Sequence, residues 1–224
     1  MPWTNLLGAS ALALAATALG TPASVLAANP NPPNVVDLAN VDQTQYRDGW
    51  QAEELLDEDV YGPNGDDVGE VEDILVGPDN RIRAIIVETN AFLDIGDTHA
   101  RIDWGDVSVG ADLERVTVPV TEDTLDDYAV NYDDMNPPRA WRVREFIGDV
   151  VNLEDRNSYG VVDDVLFDQQ GKLLSVVVRP NARYGTGAYA YPFYGYNYGW
   201  EPGQGYYDMP YTTADVGDYR PMWD

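Results

Sequence analysis

Two aspartates, Asp73 and Asp164, stand in the same local pattern, G-x-V-x-D, and a recurring carboxylate pair of this kind could act as general acid and base. Alternation along a strand would instead put each one on the same face as the apolar residues two positions away. A semi-buried aspartate at such a position usually accepts hydrogen bonds from turn amides or pairs with an arginine. We therefore predict a structural role, and a catalytic role requires an open cleft and a raised pKa.

Three other patterns partly resemble functional motifs, but each lacks residues or an element that the motif requires. The acidic stretch from Asp57 has Tyr61 and Val68 at the fifth and twelfth positions of a calcium loop, so the bidentate carboxylate is missing. The segment Gly185–Ala190 fits G-x-G-x-x-A, but proline and glycine follow where a dinucleotide site needs a helix. His99 is the only histidine, and we expect it in an exposed turn. The sequence predicts no catalytic residue, no metal site and no cofactor.

Composition restricts the partners of this chain. Its 224 residues carry a formal net charge of -26, which disfavours nucleic acid because phosphate backbones are repelled. Lys172 is the only lysine and aspartate is abundant, which suits either a saline medium or a merely acidic exported protein. Cysteine is absent, so disulfides and thiolate sites are excluded.

The first 27 residues resemble a secretory signal peptide. An apolar stretch from Leu6 to Leu19 is followed by Pro22 and by a small-residue cleavage site at Ala27, although no Lys or Arg precedes it. A retained membrane anchor over Leu6–Ala28 is the alternative. We predict cleavage near Ala27, a periplasmic or secreted protein without a membrane span in its mature form, and a disordered linker over 28–47.

The chain repeats itself at a spacing of 91 residues. Trp50–Gly96 aligns without a gap on Trp141–Gly187, with eleven identities in 47 positions, among them Trp50/Trp141, Gly69/Gly160 and Asp73/Asp164. Such a long period indicates duplicated domains and not a solenoid.

Each copy predicts the same order of elements. A short amphipathic turn ("AEELL", "VREFI") precedes a short strand at Val60 or Val151. A glycine-led strand ("GEVEDILV", "GVVDDVLF") and a third strand ("RIRAIIVE", "KLLSVVVR") follow, rich in Val and Ile and bounded by turn residues. Several short strands per domain suggest a closed or half-closed barrel, since closure removes strand edges.

The segment "VREFIGDVVNLEDRNSYGVVDDVLFDQQGKLLSVVV" resembles the PRC-barrel family, the small β-barrel of photosynthetic reaction-centre H subunits and of ribosome maturation factors. Copy one is similar and ends in "RIDWGDVSV", like the family's closing strand, but it has Asp57 where the family has the glycine matched by Gly148. The resemblance implies an all-β fold of two small barrels in tandem, over 48–118 and 139–224. The charges of residues 119–138 and the Pro137-Pro138 pair predict an acidic linker or a packed connector between them. The resemblance also implies an interaction module more than an enzyme. Trp50, Trp141, Gly69 and Gly160 are then structural.

A tyrosine-rich segment, residues 184–207, distinguishes the second copy. Matching Asp215-Val216 to Asp106-Val107 predicts an insertion of about 18 residues between two strands of the second barrel. Such a loop is suited to contact a partner, or its rings pack on the protein itself. The candidate binding residues are Tyr184, Tyr189, Tyr191, Phe193, Tyr194, Tyr196, Tyr198, Trp200, Tyr206 and Tyr207.

Two functions from different classes follow from these features. The first is a non-catalytic binding or scaffolding module of the bacterial envelope, which contacts a protein or glycan through the tyrosine-rich segment and could self-associate. The second is a membrane-anchored accessory subunit of an electron-transfer complex, similar to an H subunit, and it needs the N-terminal segment retained.

Overall fold

A computed structural model of the protein describes residues 34–46, 49–89, 98–110, 113, 115–131, 140–195 and 198–222. The described strands are β1 (Trp50–Gln51), β2 (Asp59–Tyr61), β3 (Asp67–Val76), β4 (Ile82–Thr89), β5 (Thr98–Asp103), β6 (Ser108–Val109), β7 (Val116–Thr117), β8 (Ala129–Val130), β9 (Trp141–Arg142), β10 (Val150–Asn152), β11 (Ser158–Phe167), β12 (Leu173–Pro180), β13 (Tyr189–Pro192) and β14 (Tyr206–Asp208). The α-helices are α1 (Glu122–Leu125), α2 (Val143–Phe146) and α3 (Thr213–Gly217). Single 3₁₀ turns occupy Leu38–Asn40, Gln43–Tyr46, Ala52–Glu54, Trp104–Asp106, Asp126–Tyr128 and Ala182–Tyr184.

The strands form two sheets that confirm the all-β prediction. The first sheet has the order β6-β7-β2-β3-β4-β5-β8, and the second has the order β13-β12-β11-β10-β14. In both, a long antiparallel hairpin (β3 with β4, β11 with β12) forms the centre, as the Val and Ile enrichment predicts. Each hairpin turns at a residue with positive φ, Asn80 at 59° and Gly171 at 70°.

Neither sheet closes into a barrel within the described residues, because the end strands of each sheet pair with no strand at the opposite edge. Of the two predicted forms, a closed or a half-closed barrel, the closed form is therefore wrong. The two sheets bury their inner faces in one shared core instead, which includes Val60, Ile85, Val151 and Val176, each fully buried. A shared core removes the need for each sheet to cover itself by closure.

The spacing of 91 residues continues to the end of both sheets. Strand β7 runs parallel to β2 with Val116 opposite Val60, and β14 runs parallel to β10 with Tyr207 opposite Val151. Helices α1 and α3 begin at 122 and 213, which is again a difference of 91. The tyrosine-rich segment is therefore not an insertion: it supplies β13 and β14, and the match of Asp215 to Asp106 is fortuitous. We call residues 50–125 the first unit and residues 141–216 the second unit.

The two units exchange their first strands. Strand β1 of the first unit pairs with β11, placing Trp50 opposite Phe167, and β9 of the second unit pairs with β3, placing Trp141 opposite Val76. Between them, the hairpin turns exchange two backbone hydrogen bonds of 2.8 Å, from the amide of Ile82 to Gly171 and from the amide of Leu173 to Asn80. Every one of these contacts maps onto its partner at the spacing of 91, so the units are related by an approximate two-fold axis.

Two further predictions concern the segments that flank the two units. A disordered linker is predicted over 28–47, but within it residues 34–46 lie against the second sheet, where Leu38 and Tyr46 are buried. Residues 119–138 are predicted as a connector; their described part carries α1 and β8, and β8 pairs with β5 of the first sheet. Among the described residues, no helix is long and apolar enough to cross a bilayer.

Candidate functional site

Most of the described candidate tyrosines are enclosed by the second unit. Tyr189, Tyr191, Trp200 and Tyr207 are buried, and this corrects the prediction of one exposed aromatic loop. Tyr184, Phe193, Tyr194 and Tyr198 are half-buried, and Tyr206 is exposed. Tyr196 lies outside the described residues. The interpretation that these rings pack on their own domain therefore describes most of the segment.

Several tyrosine hydroxyl groups of this region bond to one another, whereas the buried hydroxyl of Tyr207 has no hydrogen-bond partner among the described residues. The hydroxyls of Tyr159 and Tyr191 share a hydrogen bond of 2.6 Å, and burial raises the pKa of Tyr159 to about 12. The hydroxyls of Tyr194 and Tyr211 lie 2.5 Å apart. Both also hold the N-terminal segment, because the amide of Val36 donates to Tyr194 and the hydroxyl of Tyr211 donates to the carbonyl of Val36. Tyr194 and Tyr211 thus fasten residues 34–46 to the second sheet.

One residue of the tyrosine-rich segment forms a solvent-exposed apolar pair with a residue of β10. Val150 and Tyr206 lie opposite each other on the parallel strands β10 and β14, with 40% and 39% of their surfaces exposed. At the equivalent positions of the first unit stand Asp59 and Arg115, both charged. Sequence analysis missed Val150, because the pairing that joins it to Tyr206 follows from the corrected spacing. We call Val150 and Tyr206 the apolar pair.

Asp73 and Asp164 are buried, with 0% and 2% of their surfaces exposed. Oδ1 of Asp73 accepts from the amides of Ile74 at 2.8 Å and of Arg144 at 3.1 Å. Oδ1 of Asp164 accepts from the amides of Val165 at 2.7 Å and of Glu53 at 3.3 Å. Each carboxylate therefore fastens a strand of its own unit to the helical turn of the other. The open cleft that a catalytic role requires is not present at either residue.

The position of Asp57 explains why the family pattern has glycine there. Asp57 and Gly148 both have positive φ, 66° and 94°, a conformation that glycine adopts with least strain. Aspartate tolerates it better than most residues, and here its carboxylate forms an ion pair with Arg144 of the second unit. This substitution therefore adds a contact between the two units.

Gly69 and Gly160 occupy positions where no side chain fits. A Cβ atom at either glycine would lie 2.1 Å from a backbone carbonyl oxygen of the neighbouring strand, that of Glu88 or of Arg179. Backbone atoms cannot move aside as a flexible side chain can, so the close approach of β3 to β4 and of β11 to β12 depends on glycine.

The other residues that the sequence suggests for catalysis, nucleotide binding or metal binding do not come together in one site. His99 lies within β5, half-buried and opposite Glu88, and not in the exposed turn that we predict. Gly185–Ala190 leads into strand β13 and not into a helix. Within the described part of the chain, no three side chains of His, Asp or Glu are grouped so that they could hold a metal ion.

The carboxyl of Asp164 makes stability depend on pH. Burial raises its pKa from 3.8 to about 7, although the amides of Val165 and Glu53 oppose the shift. Because the folded state binds this proton more tightly than the unfolded state, its contribution is fully present below pH 4 and is lost as the pH rises to about 7. Relative to the Asp164→Asn variant, we expect wild-type stability to fall over this window by up to about 1.4 kcal/mol per pH unit.

Urea unfolding of the two proteins at pH 5, 6, 7 and 8 measures this difference, and the other carboxylates cancel because both proteins share them. A difference that stays constant from pH 5 to pH 7 would show that Asp164 keeps an ordinary pKa in the folded protein.

Strand β7, which pairs with β2, and helix α1 complete the first unit. The same residues match a known protein family. Residues 49–125 form a PRC-barrel domain. The PRC-barrel match begins at the residue before β1 and ends at the last residue of α1. It therefore covers the whole first unit and stops before the second. No curated protein matches the chain.

Proposed function

We propose that this chain is an exported, non-catalytic binding protein of the bacterial envelope, in which a second PRC-type unit follows the PRC-barrel domain in tandem. Support for the tandem comes from the strand order and parallel closing strand that both units share at one constant spacing. The exchange of β1 and β9 and the shared core join the two units, which suits a scaffold that presents a fixed surface.

The contact surface in this proposal is the apolar pair, Val150 and Tyr206. Exposed aromatic and aliphatic side chains that adjoin on rigid strands are typical anchors of protein interfaces. The first unit has Asp59 and Arg115 at these two positions, so the fold does not require apolar residues there. An aliphatic side chain beside the aromatic ring favours a protein partner over a glycan.

The double variant Val150→Asp/Tyr206→Arg tests the surface, because it copies the residues that the first unit already carries on the same backbone. We expect wild-type protein to capture its partner from an envelope fraction at the native salt concentration, and the double variant to capture at least about tenfold less. The reverse double variant Asp59→Val/Arg115→Tyr controls for nonspecific hydrophobic binding. Equal capture by wild type and Val150→Asp/Tyr206→Arg contradicts the proposed surface.

Export is tested separately by N-terminal sequencing of the mature protein, which we expect to begin near Ala28. A mature protein that retains Leu6–Leu19 contradicts export with cleavage and leaves the binding surface to be judged by the capture experiment alone.

A further inference from the structure

A cavity of about 470 Å³ opens beside the exchanged strand of the first unit. Its walls are the rings of Trp50 and Trp104 together with Val109, Gly110, Leu113 and Gln169. The volume falls in the range of small-molecule pockets, and the lining combines polar and apolar surface in similar proportions.

The aromatic walls are held in place. The indole nitrogen of Trp50 donates to the carbonyl of Asp168 at 3.0 Å, and its ring stacks on Phe167 at 5.0 Å between centroids. The ring of Trp104 stacks on Trp50 at 6.2 Å and fits closely against Gly171, where a Cβ atom would lie 2.7 Å from its nitrogen. Both rings remain half-buried, so each is pre-organised and accessible from the cavity.

The second unit shows what fits this part of the fold. The residue equivalent to Val109 is Trp200, which is fully buried and packs edge-on against Trp141 at 5.2 Å. Its indole nitrogen donates to Asp149 at 2.6 Å. Trp141, which Phe146 and Phe193 also contact, is completely buried, whereas the equivalent Trp50 is half-buried. At position 109 the first unit has a small aliphatic side chain where the second unit has an indole, and at Trp104 it has an indole where the second unit has Gly195.

One position of the first unit carries a carboxylate as the second unit does, although this side chain does not line the cavity. Glu58 stands at the position equivalent to Asp149, which accepts the hydrogen bond from the Trp200 indole. The formal net charge of -26 disfavours anionic ligands and attracts cations. The expected ligand is therefore a planar ring of about indole size that carries no negative charge.

We propose that this cavity is a binding site for a small aromatic molecule, uncharged or positively charged, which packs against Trp50 and Trp104. The site is separate from the apolar pair, which lies on the second unit, so the two proposals can fail independently. Aromatic rings bind cations through their faces and other rings through faces and edges. Both the cation–π and the aromatic–aromatic interaction strengthen when water is excluded.

Isothermal titration of the full chain with tryptamine, indole and indole-3-acetate tests the ligand class. We expect tryptamine and indole to bind with a dissociation constant on the order of 1 mM or below. We expect indole-3-acetate to bind at least about tenfold more weakly at low salt, with the gap narrowing as salt screens the surface charge. Absence of tryptamine and indole binding to the wild-type protein, or tighter binding of the anion, overturns the proposal.

The variant Val109→Trp tests the location, since it places in the first unit the residue that the second unit already has. We expect it to fold as the wild type does and to lose tryptamine binding, while Trp104→Ala weakens binding at least about tenfold. Intermolecular NMR contacts between tryptamine and the methyl groups of Val109 and Leu113 in the wild-type protein give a readout that does not depend on any variant. Undiminished binding to a folded Val109→Trp variant, or contacts only to other residues, contradicts this site.

Discussion

The Asp164→Ala variant is expected to be about 3 kcal/mol less stable than the Asp164→Asn variant, because alanine leaves two amides without their acceptor. Oδ1 of Asp164 accepts from Val165 in its own strand and from Glu53 in the helical turn of the other unit. Asparagine keeps an acceptor of the same size and carries no charge, so the comparison isolates the hydrogen bonds from the cost of a buried carboxylate. Urea unfolding at a single pH measures the difference.

The same comparison at Asp73 should give a similar value, since Asp73 accepts from Ile74 and Arg144 in the equivalent arrangement. Asp163 provides the matched control because it neighbours Asp164 in sequence. Its carboxylate forms an ion pair with the largely exposed side chain of Arg179. We expect alanine and asparagine at 163 to differ by less than about 1 kcal/mol. A difference at 164 no larger than that at 163 would mean that Asp164 does not fasten the two units together.

The strands of the hairpins are predictable from sequence because their signal is local. The Val and Ile residues of β3 and β11 and the turn residues that bound them specify strand and turn without reference to the rest of the chain. The structural role of Asp73 also follows, because strand alternation puts it beside Val71 and Leu75 on one face. The residues around Asp73 in the sequence do not indicate its second hydrogen-bond donor, which is Arg144 of the other unit.

The exchange of first strands could not be predicted for a related reason. Trp50 and Trp141 are identical and the two-residue strands that they open can pair with either sheet, so only the relative placement of the two units selects β11 for Trp50. The connection between units and the shared core determine that placement, and both are long-range properties.

The sequence alone indicates an insertion at the tyrosine-rich segment because the repeat loses its identities there while keeping its burial pattern. Val118 and Met209 are equivalent and both buried, as are Val120 and Tyr211, yet neither pair is identical. The short identity Asp-Val at 106 and 215 then outweighs a pattern that only burial reveals. Alternation of aromatic residues alone does not tell a core strand from an exposed loop.

Cutting the chain between residues 131 and 132 is expected to leave neither half able to fold as a monomer. The first half keeps β3 but loses β9 from its edge, which uncovers Val76 opposite Trp141, and Asp73 loses the amide of Arg144. The second half likewise loses Trp50 from β11 and the donor Glu53. Because the inner faces of both sheets form one core, each half would expose apolar surface that folding must bury.

Each half purified alone should therefore show no cooperative urea transition, while an equimolar mixture should recover one and sediment as a 1:1 complex. The mixture is the control for damage by the cut, since it contains every residue of the intact chain and lacks only one peptide bond. A cooperative transition from the monomeric first half alone, independent of its concentration, would contradict the dependence on exchanged strands. In that case the PRC-barrel domain of residues 49–125 would be an autonomous unit, and Arg144 and Trp141 would be additions to its surface instead of parts of its structure.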